Sequence, residues 1–95
     1  MSDPSPEVEL VRGRAEIERI DKAIVRLLAE RVATGRRIGE LKRTAGLPVL
    51  NPSREAEVIR AVAEMAREAD LPVEPVREIF WRVVALSRQA QEERA

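Results

Sequence analysis

The 95-residue chain contains neither cysteine nor histidine. Without cysteine there are no disulfides and no thiolate metal ligands, and without histidine the most usual general base and metal ligand is missing. An enzyme made from this sequence is therefore expected to catalyse a reaction that needs no proton shuttle. The 17 basic residues balance the 17 acidic ones, whereas a general nucleic-acid or acidic-membrane binder normally carries a basic excess.

Aromatic residues are also scarce, at 2% of the chain, so Val, Ile, Leu and Ala must supply most of the 44% of apolar residues. No apolar run is long enough to cross a membrane, and residues 1–6 are polar and contain proline. Neither a membrane span nor a secretory signal is expected, and a cytoplasmic location is predicted. The length predicts a single domain over residues 1–95, with residues 1–6 as a disordered tail.

The spacing of apolar residues predicts an all-α fold of three helices. The first runs from about Glu7 to Thr44 and is followed by the stop signal Ala-Gly-Leu-Pro at 45–48. The second opens with Asn51 as N-cap and Pro52 in its first turn. Asp-Leu-Pro at 70–72 separates it from the third helix. The predicted packing faces are Val58, Ile59, Val62, Met65, Ala66 and Ala69 in the second helix, and Val76, Ile79, Phe80, Val83, Leu86 and Ala90 in the third.

The predicted length of the first helix argues for association with a second copy of the chain. At 1.5 Å per residue this helix spans about 55 Å, more than a compact domain of this mass needs. The rest of the chain cannot cover it. The competing arrangement is a break near Gly35 and Gly39 that folds the chain into a monomeric four-helix bundle, but neither glycine is flanked by proline or another turn residue.

A positive charge interrupts the apolar stripe of the first helix. Arg31 occupies a stripe position, as does Thr34, and an inward guanidinium is costly unless an anion meets it. Lys42 follows about three turns later and points nearly the same way, so the two cations could bind a ligand with two anionic groups. The stripe itself consists of Ile17, Ile20, Ile24, Leu27, Ile38 and Leu41.

Three further polar residues, Glu55, Ser87 and Gln91, fall on the packing faces of the second and third helices. Each alone has a simpler explanation: Glu55 could form an ion pair with Arg31 or Lys42, Ser87 could bond a helix carbonyl, and Gln91 could lie in the fraying end of its helix. Several polar groups on faces that pack together each carry a desolvation cost, which favours a built site. Arg14 points to a different side of the first helix from Arg31, so it can serve the same site only from a partner chain.

These residues together resemble the all-helical AroQ-type chorismate mutases, in their short monofunctional form. The resemblance covers about residues 7–92 and depends on an ordered set of segments rather than on one motif. These are Arg14 with IERID at 17–21, LLAER at 27–31, IGELK at 38–42, PVLNPSRE at 48–55, and finally Ser87 and Gln91.

The resemblance implies an intertwined homodimer with two equivalent sites, each completed by Arg14 of the partner chain. It implies the pericyclic rearrangement of chorismate to prephenate, on the route to phenylalanine and tyrosine, with no metal or cofactor. Arg14 and Arg31 would then bind the two substrate carboxylates, with support from Ser87. Small members of the family sometimes depend on a partner enzyme of the shikimate pathway, so the resemblance makes such an enzyme a candidate partner.

The remaining implied roles concern the ether oxygen and the C4 hydroxyl of chorismate. Lys42 would contact a carboxylate and the ether oxygen, and Gln91 would donate a second hydrogen bond to that oxygen. Glu55, with polar groups of Asn51 and Arg54, would receive the C4 hydroxyl. Several family members have aspartate where this chain has Asn51, so a 4-amino-4-deoxychorismate mutase of the same fold is a competing function.

Two more functions compete with the mutase. An isochorismate-pyruvate lyase shares the fold, although such lyases tend to lack the pair seen here as Arg54 and Glu55. A non-catalytic helical dimerisation module would have no site at all. DNA binding is disfavoured because the basic residues are scattered and interleaved with acidic ones.

Overall fold

The computed structural model describes residues 4–93, which form three helices without a strand. Helix α1 spans Pro6–Thr44, α2 spans Pro52–Glu68 and α3 spans Val73–Glu92. The predicted all-α class and the three helices are therefore confirmed. Helix α1 continues through Gly35 and Gly39, so the four-helix arrangement with a break at these glycines is wrong.

The chain divides into two units, one ending at Glu30 and the other beginning at Arg31. The described part of the first unit is almost entirely the N-terminal portion of α1, and none of residues 4–30 is buried. Its surface carries an ion pair between Glu16 and Arg19, which lowers the pKa of the Glu16 carboxyl. Its exposed large apolar side chains, each at least 38% exposed, are Val8, Leu10, Val11, Ile17, Ile20, Ile24, Val25 and Leu27.

The core of the second unit lies between α2 and α3. Ile59, Val62 and Ala66 are buried as the periodicity predicted, and so is Ala90. The other buried apolar residues, Ala63 and Val84, were not predicted.

Three residues predicted on the packing faces, Met65, Ile79 and Leu86, are instead 43–59% exposed in the chain. Apolar residues cover a wide arc of both helices, and periodicity does not say which part of that arc packs within the chain.

Helix ends occur where the turn residues predicted them. Asn51 caps α2, with its side-chain oxygen accepting the N–H of Arg54 at 3.1 Å. After α1, Gly46 adopts φ +70° and Leu47 donates to the carbonyl of Lys42 at 2.8 Å, which is a Schellman motif. After α2, Asp70 occupies the position in the turn that Gly46 occupies after α1, with φ +56°.

The two glycines of α1 that were considered as break points allow α3 to approach closely. A Cβ on Gly39 would lie 2.9 Å from the Cα of Gln91, and one on Gly35 would lie 3.1 Å from the carbonyl oxygen of Ser87. Both glycines are buried. This close crossing sets the positions of Ser87 and Gln91 relative to the C-terminal part of α1.

Pro4 and Ser5 precede α1 and are exposed, and Pro6 already belongs to the helix. The rest of the predicted tail, residues 1–3, lies outside the described residues. The disordered tail and the single domain over 1–95 stay predictions. None of the described helices is long and apolar enough to cross a membrane.

Candidate active site

One cavity of about 440 Å³ lies within the second unit, among the C-terminal part of α1 and helices α2 and α3. It brings together every predicted site residue except Arg14. Its lining consists of Arg31, Thr34, Gly35, Ile38, Lys42, Asn51, Arg54, Glu55, Val58, Val84, Ser87 and Gln91.

At one side of the cavity, the guanidinium of Arg31 donates a hydrogen bond from Nη1 to the hydroxyl oxygen of Ser87. Ser87 is buried, with 5% of its surface exposed, so the bond satisfies a polar group that would otherwise be unpaired. Arg31 has five N–H groups, and no second acceptor for them occurs among residues 4–93. The remaining donors are therefore available to a carboxylate.

Lys42 and Gln91 form the second polar group. The Lys42 ammonium donates to the Val49 carbonyl at 2.9 Å and to Oε1 of Gln91 at 3.0 Å. Because an ammonium can only donate, the amide oxygen of Gln91 faces Lys42 and its NH₂ group is turned elsewhere. Two donors, one charged and one neutral, thus stand side by side in the cavity lining.

The start of α2 contributes the third group. Asn51 uses its side-chain oxygen as the helix cap, and Arg54 forms an exposed ion pair with Glu57 at 3.1 Å. Glu55 is only 19% exposed in its side chain and lies 3.4 Å from Nε of Arg88. The suggested ion pair of Glu55 with Arg31 or Lys42 is therefore wrong, because Glu55 pairs with Arg88.

The charges of the lining favour an anionic ligand. Arg31, Lys42 and Arg54 are cationic, and the single acidic member, Glu55, is already paired with Arg88. Cations lining a concave surface raise the local concentration of anions. Among residues 4–93, no group of three or more His, Cys, Asp or Glu side chains is arranged to hold a metal ion.

Arg14 lies in the first unit, where it lines a shallow depression with Pro6, Glu9, Leu10, Gly13 and Ile17. The prediction that Arg14 reaches the site from a partner chain stays a prediction.

Two residues that hold the site together were not found from the sequence. Arg88 pairs with Glu55, and Arg43 bonds the backbone of Gln91. Neither lies on an apolar stripe, which was the signal that singled out Arg31. Thr34 did occupy a stripe position, and it lines the cavity.

The fold and the site define a helical protein with a cavity lined by three cationic side chains and one acidic side chain. Comparison with known proteins gives the family: the chain belongs to the chorismate mutase type II family, whose sequence model matches residues 13–92.

Among characterised relatives, a bifunctional chorismate mutase/prephenate dehydratase of Aquifex aeolicus is 38% identical over 80 residues, which cover 81% of this chain and 22% of that protein. A chorismate mutase of Methanocaldococcus jannaschii is 28% identical over 89 residues, with 90% of each chain covered. Among solved structures, a conserved hypothetical protein from Pyrococcus furiosus matches with a TM-score of 0.70 and 31% identity, over 94% of this chain and all of the other. The chain thus spans less than a quarter of the length of the bifunctional relative.

Proposed function

We propose that the chain is a chorismate mutase, which rearranges chorismate to prephenate in a unimolecular pericyclic step. In this step one C–O bond breaks and one C–C bond forms within the same molecule, so neither a proton shuttle nor a cofactor is required. One observation carries the proposal: seven residues predicted for this chemistry, drawn from three helices and the residue that caps α2, line a single cavity of about 440 Å³. Membership of the chorismate mutase type II family supports it.

In the proposed reaction, negative charge grows on the ether oxygen as the C–O bond breaks. Lys42 and the NH₂ group of Gln91 would donate hydrogen bonds to that oxygen, and their mutual bond holds them in place beforehand. Donors arranged in advance stabilise the transition state more than the ground state. Arg31, oriented by Ser87, would bind a substrate carboxylate and hold the molecule in its reactive conformation.

Glu55 is the better acceptor for the C4 hydroxyl in this proposal. The side-chain oxygen of Asn51 already accepts the N–H of Arg54, whereas Glu55 is held at the cavity wall by Arg88. A carboxylate accepts a stronger hydrogen bond from a hydroxyl than an amide does. Asparagine and aspartate cap helices about equally well, so Asn51 keeps the cap of α2 while Glu55 supplies the charged acceptor.

The proposal includes a homodimer in which Arg14 of the partner subunit completes each site. The long row of exposed apolar side chains on the first unit supports it, because a lone chain leaves this row in water. The cytoplasmic location and a partner enzyme of the shikimate pathway stay predictions.

The test is a chorismate-consumption assay with detection of prephenate. Lys42→Ala should lower kcat about 100- to 1000-fold, because it removes a charged donor from the breaking bond. Lys22→Ala is the matched control, since Lys22 is the other lysine of the chain and is exposed on α1; it should retain the activity of the unaltered protein. Equal losses in both variants, or no prephenate from the unaltered protein, would contradict the proposal.

The same assay separates the competing functions when isochorismate and 4-amino-4-deoxychorismate are supplied in turn. Salicylate and pyruvate from isochorismate would indicate a lyase, and preferential turnover of the amino compound would indicate the aminodeoxy mutase. A folded protein that converts none of the three substrates would indicate a helical dimerisation module.

A further inference from the structure

Gln91 lies at the end of a helix, although its proposed role requires a fixed position. It is the last residue but one of α3, which ends at Glu92. The last carbonyls of a helix have no partner within it, and terminal turns open easily. A donor that must be in place before the reaction therefore needs support from outside α3.

Arg43 of α1 supplies this support. Its Nη1 donates to the backbone carbonyl of Gln91 at 2.7 Å, and its Nη2 donates to the carbonyl of Glu93 at 3.3 Å. The last turn of α3 contains no basic residue of its own, although a cation there would interact favourably with the helix dipole. Arg43 provides that cation from the neighbouring helix and satisfies two terminal carbonyls at once.

Gly39, one turn before Arg43, makes the approach possible. A side chain on Gly39 would meet the backbone of Gln91, with its Cβ 2.9 Å from Cα and 3.0 Å from the carbonyl carbon. The adjacent Lys42 binds the other end of Gln91, its side-chain oxygen. Two consecutive residues of α1 thus hold the backbone and the amide of Gln91.

We propose that Arg43 is a positioning residue for Gln91. By fixing the last turn of α3, it keeps the Gln91 amide against Lys42 and its NH₂ group directed at the reacting oxygen. This inference depends on the proposed chorismate mutase function for its kinetic consequence. The effect of Arg43 on the order of the last turn of α3 does not depend on that function and is measured separately.

The kinetic test is a double-mutant cycle. Arg43→Ala should lower kcat about tenfold through misplacement of one donor, with little change in KM because Arg31 and Lys42 remain. In a Gln91→Ala background the same substitution should change kcat less than about twofold, because the group that it positions is already gone. Arg43→Lys, which can still bond one carbonyl, should recover part of the loss.

Arg36→Ala is the matched control. Arg36 lies on the same side of α1 and pairs with the Glu93 carboxylate at 2.8 Å, but it forms no hydrogen bond with Gln91. Its ion pair is exposed and contributes little, so Arg36→Ala should keep the kcat of the unaltered protein. A kcat loss from Arg43→Ala that is equally large with and without Gln91 would overturn the proposal, because it would show a general structural role.

The second measurement does not require activity. Amide hydrogen exchange in residues 90–92 should become about tenfold faster in Arg43→Ala and stay unchanged in Arg36→Ala, because only the former releases the terminal carbonyls. Unchanged exchange in Arg43→Ala would overturn the positioning role even if the enzyme is active. Faster exchange in a protein that does not convert chorismate would instead overturn the proposed function alone.

Discussion

At the scale of single residues, the proposed reaction depends on a donor that does not titrate, the side-chain amide of Gln91. This amide keeps the same two N–H donors across the neutral range, and its oxygen accepts a hydrogen bond from Lys42. We therefore expect kcat to form a broad plateau from about pH 5 to 8. A steep loss of activity across this range, measured in the prephenate assay, would contradict the contact between Gln91 and the ether oxygen.

Gln91→Glu should convert this plateau into a pH-dependent activity. The introduced carboxyl can donate to the ether oxygen only when protonated, and when ionised it repels the charge that grows there. Activity should therefore fall as pH rises through its pKa. Gln89→Glu, on the exposed side of the same helix, is the control and should keep the plateau; a flat profile for Gln91→Glu would exclude the proposed contact.

The sequence was informative about residues that break a pattern. Arg31 could be identified because a cation replaced an apolar residue, and Lys42 because it lies about three turns further on the same side. Arg43 and Arg88 gave no such signal, since each is one of 17 basic residues in a chain where cations normally lie on the surface. Their partners, a backbone carbonyl and a carboxylate on another helix, are defined only by the folded chain.

At the scale of helices, the close crossing of α1 and α3 depends on the absence of side chains at Gly35 and Gly39. Gly39→Ala should destabilise the protein by about 1–3 kcal/mol, because the new Cβ would overlap the backbone of Gln91 and the helices would have to separate. Urea unfolding measures this change. Gly13→Ala is the control, since a Cβ there would meet no atom of residues 4–93 within 4 Å apart from its chain neighbours and the adjacent backbone of α1. It should stabilise by up to about 1 kcal/mol through helix propensity.

If Gly39→Ala unfolds at the same urea concentration as Gly13→Ala, the helices do not cross closely at this glycine. A loss of stability without a loss of kcat per folded molecule would show that Gln91 tolerates the separation.

The end of α2 gives a prediction of the opposite sign. Asp70 has φ +56°, a left-handed conformation that is unfavourable for residues with a Cβ. Asp70→Gly should therefore raise the free energy of unfolding by about 0.5–1 kcal/mol. The equivalent position after α1 is already glycine, so Gly46→Ala should lower the free energy of unfolding by a similar amount. A destabilised Asp70→Gly variant would mean that the Asp70 side chain has a stabilising contact of its own.

Helix boundaries were easier to predict than helix faces, for a physical reason. Boundaries depend on local chemistry, such as the cap at Asn51 and the glycine at 46, and these act in the same way in any fold. Which face of a helix is buried depends on the element that packs against it. Met65 and Ile79 are apolar and correctly spaced but exposed in the chain, because α2 and α3 pack through smaller residues, including Ala63.

At the scale of the whole molecule, the exposed apolar residues of the first unit and the proposed role of Arg14 lead to one experiment. If Arg14 of one subunit completes the site of the other, Arg14→Ala and Arg31→Ala should each abolish most activity. When the two variants are mixed, unfolded and refolded together, activity should return. Half of the resulting dimers would be mixed, and each mixed dimer would contain one intact site of two. The mixture should therefore recover about a quarter of the activity of the unaltered protein.

The control for complementation pairs Arg31→Ala with Lys42→Ala. Arg31 and Lys42 line the same cavity of one chain, so every site in a mixed dimer would lack one of them and no activity should return. Light scattering at the assay concentration gives the oligomeric state independently. Recovery in the control as well would show that the substitutions act on folding rather than on the site. Full activity of Arg14→Ala, or an active species that is a single chain, would show that Arg14 of a partner takes no part in catalysis. The exposed apolar side chains of the first unit would then need another explanation.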